Sequence, residues 1–292
     1  MRHHHPLAPV LLAVIAIALL SVMDGVMKGA SLAVGAYSAM LWRGVVGTPV
    51  TFALWRSAGT AWPEAAVLKV HALRGGVTAI MAVLFFHSLT LLPLAQAIAI
   101  SFFAPLVALY LAAVTLGERI EGKAIAASLI GFAGVGVICW PELHGGGAPR
   151  RLEGIAAVVA SALFYAWNLV LSRRQALIAH PREISFFQTV TTLVALAGFA
   201  PFFLRWPGAT IGLIAAASLL SIAAQLMLAW AYRRAEAQVL VPLEYSAFVW
   251  AAAVGWWAFG EGVTGTTLVG VALIVAGCLV AARKTPPEPV AA

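Results

Sequence analysis

The sequence predicts an all-α integral membrane protein of ten transmembrane helices, built as two inverted five-helix repeats. Three observations predict it. Hydrophobic residues make up 62% of the 292 and charged residues 10%, with a mean hydropathy of +0.96. No water-soluble core buries so large an apolar fraction. Apolar runs of about 20 residues, the length a helix needs to cross hydrocarbon, follow one another along almost the whole chain. Two of these runs end alike, in Gly117-Glu118 and Gly260-Glu261, and each is followed by a glycine-bearing apolar run, so the chain reads as an internal duplication. With an odd number of spans per repeat, the second repeat enters the bilayer upside down.

The spans of the first repeat fall at 10–30, 35–54, 75–92, 94–116 and 124–140. None alternates with the period of two that a barrel strand needs, so each reads as a helix. The first carries Asp24 and Lys28, the second Trp42 and Arg43, and the third His87 one turn from its end. Ser101 lies in the fourth, which Pro105 interrupts; Gly131, Gly134 and Gly136 give the fifth a surface for close helix contact. The stretch from Glu142 to Pro149 reads as a flexible link near the middle of the chain. The second repeat follows with spans at 154–171, 184–204, 209–231, 237–259 and 266–282. Tyr165, Trp167 and Asn168 lie in the sixth span and Gln225 in the eighth. The ninth holds Pro242, Glu244 and Tyr245, and the tenth Gly270 and Gly277. The expected units are therefore 1–145, 150–284 and a short tail, 285–292. The longest connections, 55–74 and 141–153, are too short to fold as domains.

Basic residues mark the cytoplasmic side of short loops. With the N-terminus inside, thirteen of the 18 Lys and Arg fall on that side, among them Arg56, Lys69, Arg74, Arg173 and Arg233. Lys28, Arg150, Arg151 and Arg205 fall opposite, and Arg43 lies within a span. Both termini are expected in the cytoplasm. The formal charge of +7 is dispersed over five short loops and two tails and forms no continuous basic face, so no nucleic-acid partner is expected. His3, His4 and His5 are consecutive on a terminus with no second cluster, which makes a weak metal site; Cys139 and Cys278, late in the fifth and tenth spans, read as small hydrophobes rather than as a disulfide. A phosphate-cradling glycine loop with its lysine, a His/Cys cluster and paired loop carboxylates are all missing, so the expectation is no enzyme and no cofactor.

The stretches Leu92-Pro93-Leu94-Ala95-Gln96-Ala97, Ala104-Pro105-Leu106, Leu116-Gly117-Glu118-Arg119 and Gly131-Phe132-Ala133-Gly134-Val135 in the first half resemble the ten-span EamA-type members of the drug/metabolite transporter superfamily. Ala235-Glu236-Ala237-Gln238, Phe259-Gly260-Glu261 and the run from Gly270 to Gly277 carry the resemblance through the second half, and Arg43 follows Trp42 where members often place an arginine. Within that superfamily the chain resembles the YddG-type amino-acid exporters. The resemblance implies a secondary carrier of the bacterial inner membrane that exports amino acids or related small metabolites by alternating access. Its partners would be that solute and the lipid bilayer, and a monomer would suffice. Many members place a proline late in the ninth span; here Val241-Pro242-Leu243-Glu244-Tyr245 stands instead, shifting the helix break.

The chemistry is expected on polar groups that hydrocarbon otherwise excludes. Asp24 and Arg43 fall at comparable depths with Lys28 one turn beyond Asp24, so the three read either as a structural ion cluster locking two helices or as a site for a substrate ammonium or a proton. Glu244 lacks a basic partner at its depth and reads as a proton-exchanging carboxylate. Glu118 and Glu261 read as helix-end residues. His87 is a second-rank proton carrier beside its reading as a packing histidine. Tyr165, Trp167 and Asn168, with Trp42, Ser101, Gln225 and Tyr245, offer rings and hydrogen bonds suited to an apolar or aromatic amino acid. Pro105 and Pro242 mark the helix breaks of a pathway lined by the fourth and ninth spans. A second reading is a proton-coupled exporter of lipophilic cations, with Glu244 shared between proton and cation.

Overall fold

The computed structural model describes residues 7–59, 61–116, 122–144, 149–234, 240 and 243–282. Among these every regular element is helical: α1 (Leu7–Val34), α2 (Ala36–Arg56), α3 (Ala65–Leu89), α4 (Leu94–Ser101), α5 (Ala104–Leu116) and α6 (Gly122–His144), then α7 (Pro149–Ile178), α8 (Pro181–Ala197), α9 (Ala200–Phe203), α10 (Ile211–Tyr232), α11 (Ala247–Phe259) and α12 (Gly265–Ala282). Leu7–Val34, Ala65–Leu89, Pro149–Ile178 and Gly208–Tyr232 are long and apolar enough to cross a membrane, while Leu94–Ala108, Ile125–Pro141, Ala247–Phe259 and Gly265–Val280 are shorter apolar helices.

Several boundaries depart from the sequence expectation. The connection expected at 55–74 is helical from Ala65, because 65–74 is made of good helix formers and has one face buried through His71. The run 184–204 is broken: α8 ends at Ala197, and Gly198-Phe199 turn the chain into the single turn of α9. Only Gly35 separates α1 from α2. Its φ of 85° needs a residue without Cβ, and Gly35 N still donates to Ser31 O (2.9 Å) while Ala39 N donates to Gly35 O (3.0 Å), so the corner leaves few backbone groups unpaired.

The fourth run breaks between α4 and α5, at Phe102-Phe103. Pro105 is the second residue of α5; it has no N–H for Ser101 O, and Leu106 N turns to Phe103 O (3.0 Å). Phe102 O is instead approached by the thiol of Cys278 on α12 (3.5 Å). A second turn, at Tyr245-Ser246, precedes α11, with Ser246 N on Leu243 O and Phe248 N on Tyr245 O. It lies 143 residues after the first, the offset that also separates Gly117-Glu118 from Gly260-Glu261. The rings of Phe102 and Tyr245 meet edge to face, their centroids 5.3 Å apart. Pro242 and the pair Gly117-Glu118 lie outside the described residues.

Packing between the halves comes in exchanged pairs. α1 packs on α10 and α3 on α7; α2 packs on α10 and α3 on α8; α1 packs on α11 and α5 on α7. α2 with α8, α4 with α11 and α6 with α12 are contacts between corresponding runs. The α6–α12 contact is the tightest that small residues allow. A Cβ on Gly134 would stand 2.6 Å from Gly270 O and one on Gly277 2.5 Å from Ala127 O, whereas Gly136 faces open space. In lipid, where apolar surface alone gives helices little reason to associate, such backbone approach maximises dispersion contact.

Candidate functional site

The central feature is a cavity of about 540 Å³ walled by α1, α2, α3, α7, α8 and α10, with Ser101 at the end of α4. No described residue of α6 or α12 lines it. Each wall helix presents a stripe spaced three or four residues apart: Arg74, Thr78 and Met81 on α3; Ser161, Tyr165 and Asn168 on α7; Ser185, Gln188 and Thr192 on α8; Ser218, Ser221 and Gln225 on α10. This is the spacing of one helix face. α1 and α2 add Asp24 and Arg43 between Leu20, Met23 and Met40. The wall is thus apolar with convergent polar groups, as small-molecule sites are.

Among the described residues three charges face the cavity: Asp24, Arg43 and Arg74. Asp24 and Arg43 are half-buried and lie close enough for Arg43 to act on the carboxylate, yet they form no ion pair within 4.0 Å. Arg43 instead places Nη1 3.4 Å from Met23 Sδ and its guanidinium 5.7 Å from the centroid of Phe86. Asp24 accepts no hydrogen bond from any described residue. The expected cluster with Lys28 does not form. Lys28, 4% exposed, donates to Leu92 O (2.8 Å) and pairs with Glu261, whose other oxygen accepts from Leu94 N (2.8 Å) at the start of α4. Left-handed Gly260 (φ 65°) ends α11 and turns Glu261 to that position, which gives the Gly-Glu signature a structural purpose here.

Arg74, assigned to a loop by its charge, is drawn into the wall. Its Nε donates to Asn168 Oδ1 (2.9 Å) and its Nη1 to Gln175 Oε1. Gln175 in turn meets His71 Nδ1, and His71 Nε2 lies 3.1 Å from Glu183 Oε1, so fully buried His71 and Gln175 join α3, α7 and α8. Phe187 stacks on His71 (4.8 Å between centroids), and Trp55 stacks on Phe186 (5.0 Å), which seals this end of the α2–α8 contact. At the opposite end the start of α2 is fastened to the last turn of α8 and to the chain after it. Tyr37 OH donates to Leu196 O, Ser38 Oγ donates to Phe203 O (3.2 Å), and Trp42 Nε1 donates to Arg205 O (3.0 Å) with its ring edge-on to Trp206.

Of the residues singled out from the sequence, Asp24, Arg43, Ser101, Tyr165, Asn168 and Gln225 line the cavity. The others stand elsewhere. Trp42 is in the Arg205 contact just described. His87 bonds Glu153 (2.8 Å) with both side chains largely exposed, because the end of α3 emerges beside the start of α7. Trp167 is 39% exposed on the outer face of α7, two positions from Tyr165 and so turned away from the cavity. Glu244 accepts from Tyr232 OH, and Tyr245 packs on Phe102; neither lines the cavity. Of the fourth run only Ser101 lines the cavity, and none of the described residues of the ninth does. Arg74, the Ser185, Gln188 and Thr192 stripe of α8, and Ser218 and Ser221 beside Gln225 on α10 are among the lining groups that the sequence reading did not single out. Polar residues repeating every three or four positions through apolar helices were the available signal.

The EamA-like transporter family model matches the chain twice, at residues 7–140 and 152–283. The pseudopaline exporter CntI of Pseudomonas aeruginosa is 29% identical over 282 residues, which cover 94% of this chain and 95% of the relative. The riboflavin transporter of Rhizobium johnstonii is 30% identical over 203 residues, 67% of this chain and 64% of the relative. A crystal structure 24% identical in sequence superposes with a TM-score of 0.62, covering 94% of this chain and 96% of the other, and so shares the fold. The chain is therefore a multi-pass membrane protein and belongs to the EamA-like transporter family.

Proposed function

We propose that this chain is a secondary exporter of amino acids or closely related zwitterionic metabolites in the bacterial inner membrane. In this reading it has ten spans, both termini are cytoplasmic, and two inverted five-helix repeats, 1–145 and 150–284, rock about the cavity. The exchanged packing pairs support the repeat, since an approximate two-fold relation between halves turns each contact of one into a contact of the other.

The observation that carries the substrate reading is the presence of Asp24 and Arg43 on one cavity wall without an ion pair between them. Asp24 accepts no hydrogen bond from a described residue, and Arg43 meets the Met23 sulfur and the Phe86 ring. An α-ammonium on Asp24 and an α-carboxylate on Arg43 satisfy both at once, and both bonds are charge-assisted. Tyr165, Asn168, Ser101 and Gln225 supply the remaining polar contacts. On the proposed orientation, the Lys28–Glu261 pair and the Trp42–Arg205 contact close the periplasmic side, and the His71–Glu183 and Trp55–Phe186 contacts close the cytoplasmic side. Transport opens one set while the other holds.

The lipophilic-cation reading is disfavoured by two guanidiniums on the wall and by Glu244, which bonds Tyr232 and does not line the cavity. Sealed proteoliposomes loaded with unlabelled amino acids and exposed to labelled ones separate the two readings. Exchange that is lost in Asp24→Asn and Arg43→Gln and retained in Glu244→Gln supports the zwitterion carrier. No amino-acid flux, together with dye extrusion lost in Glu244→Gln, overturns it in favour of the cation exporter.

A further inference from the structure

We infer that Arg74 forms a second, distant anion subsite in the same cavity, so that the preferred solute is an elongated amino acid with a further carboxylate at its far end. The inference rests on the zwitterion site proposed above and names the solute class.

Among the described residues the cavity carries two cations and one anion: Arg43, Arg74 and Asp24. A simple zwitterion at Asp24 and Arg43 leaves the Arg74 charge without an anionic partner. Asn168 and Gln175 take two of its five N–H donors through neutral amide oxygens, and Arg74 is within ion-pair distance of no described carboxylate. Glu183 is engaged by His71, and Glu244 by Tyr232; neither faces the cavity. The two amides fix the guanidinium plane and leave donors over, and so pre-organise a fork for an incoming carboxylate.

The spacing favours a long diacid over a short one. Arg43 lies over Phe86, twelve residues along α3 from Arg74, which is roughly 18 Å of helix axis. Leu68, near the start of α3, packs against the cluster that holds Trp55 from the end of α2, so α2 and α3 run antiparallel. Long side chains on a helix lean toward its N-terminus, so Phe86 leans back toward Arg74 by about one turn, roughly 5 Å, while Arg43 and Arg74 lean to opposite ends of the cavity. The span that remains suits a diacid longer than aspartate or glutamate. Thr78, Ser161 and Tyr165 line the stretch between, where a chain bearing further hydrogen-bonding groups would lie.

Isothermal titration of the full-length protein in lipid nanodiscs tests this with two matched pairs of probes: 2-aminosuberate against its ω-amide, and glutamate against glutamine. The expected result is about tenfold or tighter binding of 2-aminosuberate over its ω-amide, the worth of a charge-assisted bidentate contact, with glutamate and glutamine differing by no more than about twofold. Arg74→Gln should collapse the long-pair ratio to near one, and Arg74→Lys should keep part of it. Equal affinity for 2-aminosuberate and its ω-amide in the wild type, or a ratio that survives Arg74→Gln, overturns the second subsite and leaves the zwitterion site standing. If no probe binds, both fail. Should Arg74→Gln not fold, the wild-type ratio still decides.

Discussion

Replacing Glu261 by alanine should destabilise the protein more than any other single surface-proximal change. The carboxylate holds three elements together at one end of the bundle: Lys28 of α1, the Leu92–Leu94 link before α4, and the end of α11. Glu261→Ala leaves Lys28, 4% exposed, with Leu92 O as its remaining hydrogen-bond acceptor and strips the acceptor from Leu94 N. Removing one partner of a buried ion pair costs about 3–5 kcal/mol, because the other charge stays behind uncompensated. The Glu261 side chain is 18% exposed, so water replaces part of what is lost and the lower end of that range applies, about 3 kcal/mol. Glu261→Gln keeps an acceptor for Leu94 N and should cost less. Exchanging both charges for apolar groups, Lys28→Met with Glu261→Leu, removes the orphan and should recover most of the loss. Reversible SDS titration in mixed micelles, read by tryptophan fluorescence, gives each free energy. A loss below about 1 kcal/mol for Glu261→Ala, or a double variant as unstable as the two single changes added together, would refute the reasoning.

Gly134→Leu and Gly277→Val push side chains into backbone oxygens of the facing helix and should each cost about 1–3 kcal/mol in the same titration, whereas Gly136→Ala, which meets nothing within 4 Å, should be neutral. Asp24→Asn and Arg43→Gln each remove a charged hydrogen bond to the solute; at about 1.5–3 kcal/mol apiece, exchange rates at low solute should fall by about tenfold or more while membrane yield holds. Cys139 and Cys278, 6% and 5% exposed, should resist maleimide in the folded protein and react on unfolding. Rapid labelling of either thiol in the native state would contradict its buried position.

What the sequence made legible was whatever depends on composition and local pattern. Apolar length located the four helices long and apolar enough to cross a membrane, and small residues marked the α6–α12 contact, because both follow from the bilayer as solvent. The break at Phe102-Phe103 was signalled by Pro105. Its counterpart at Tyr245-Ser246 falls three residues past Pro242, at the position the internal duplication sets. Arg74 escaped because charge counting assigns every basic residue near a span end to a loop, and only tertiary contact with Asn168 and Gln175 shows it turned inward. Trp167 and Glu244 misled for a related reason. Depth in a span says nothing about which side of the helix faces the cavity, whereas the three-and-four spacing of Ser218, Ser221 and Gln225 does. The sequence places Lys28 one turn from Asp24, but its partner Glu261 lies just past the end of α11, 233 residues away.

Counterflow of labelled amino acids in sealed proteoliposomes, comparing the wild type with Ser161→Trp, bears most directly on the carrier reading. Ser161 lies on the cavity wall, and an indole there fills space the solute needs. The account predicts a transient accumulation of label in the wild type and none in Ser161→Trp at equal protein incorporation. Undiminished counterflow through the filled cavity would contradict it.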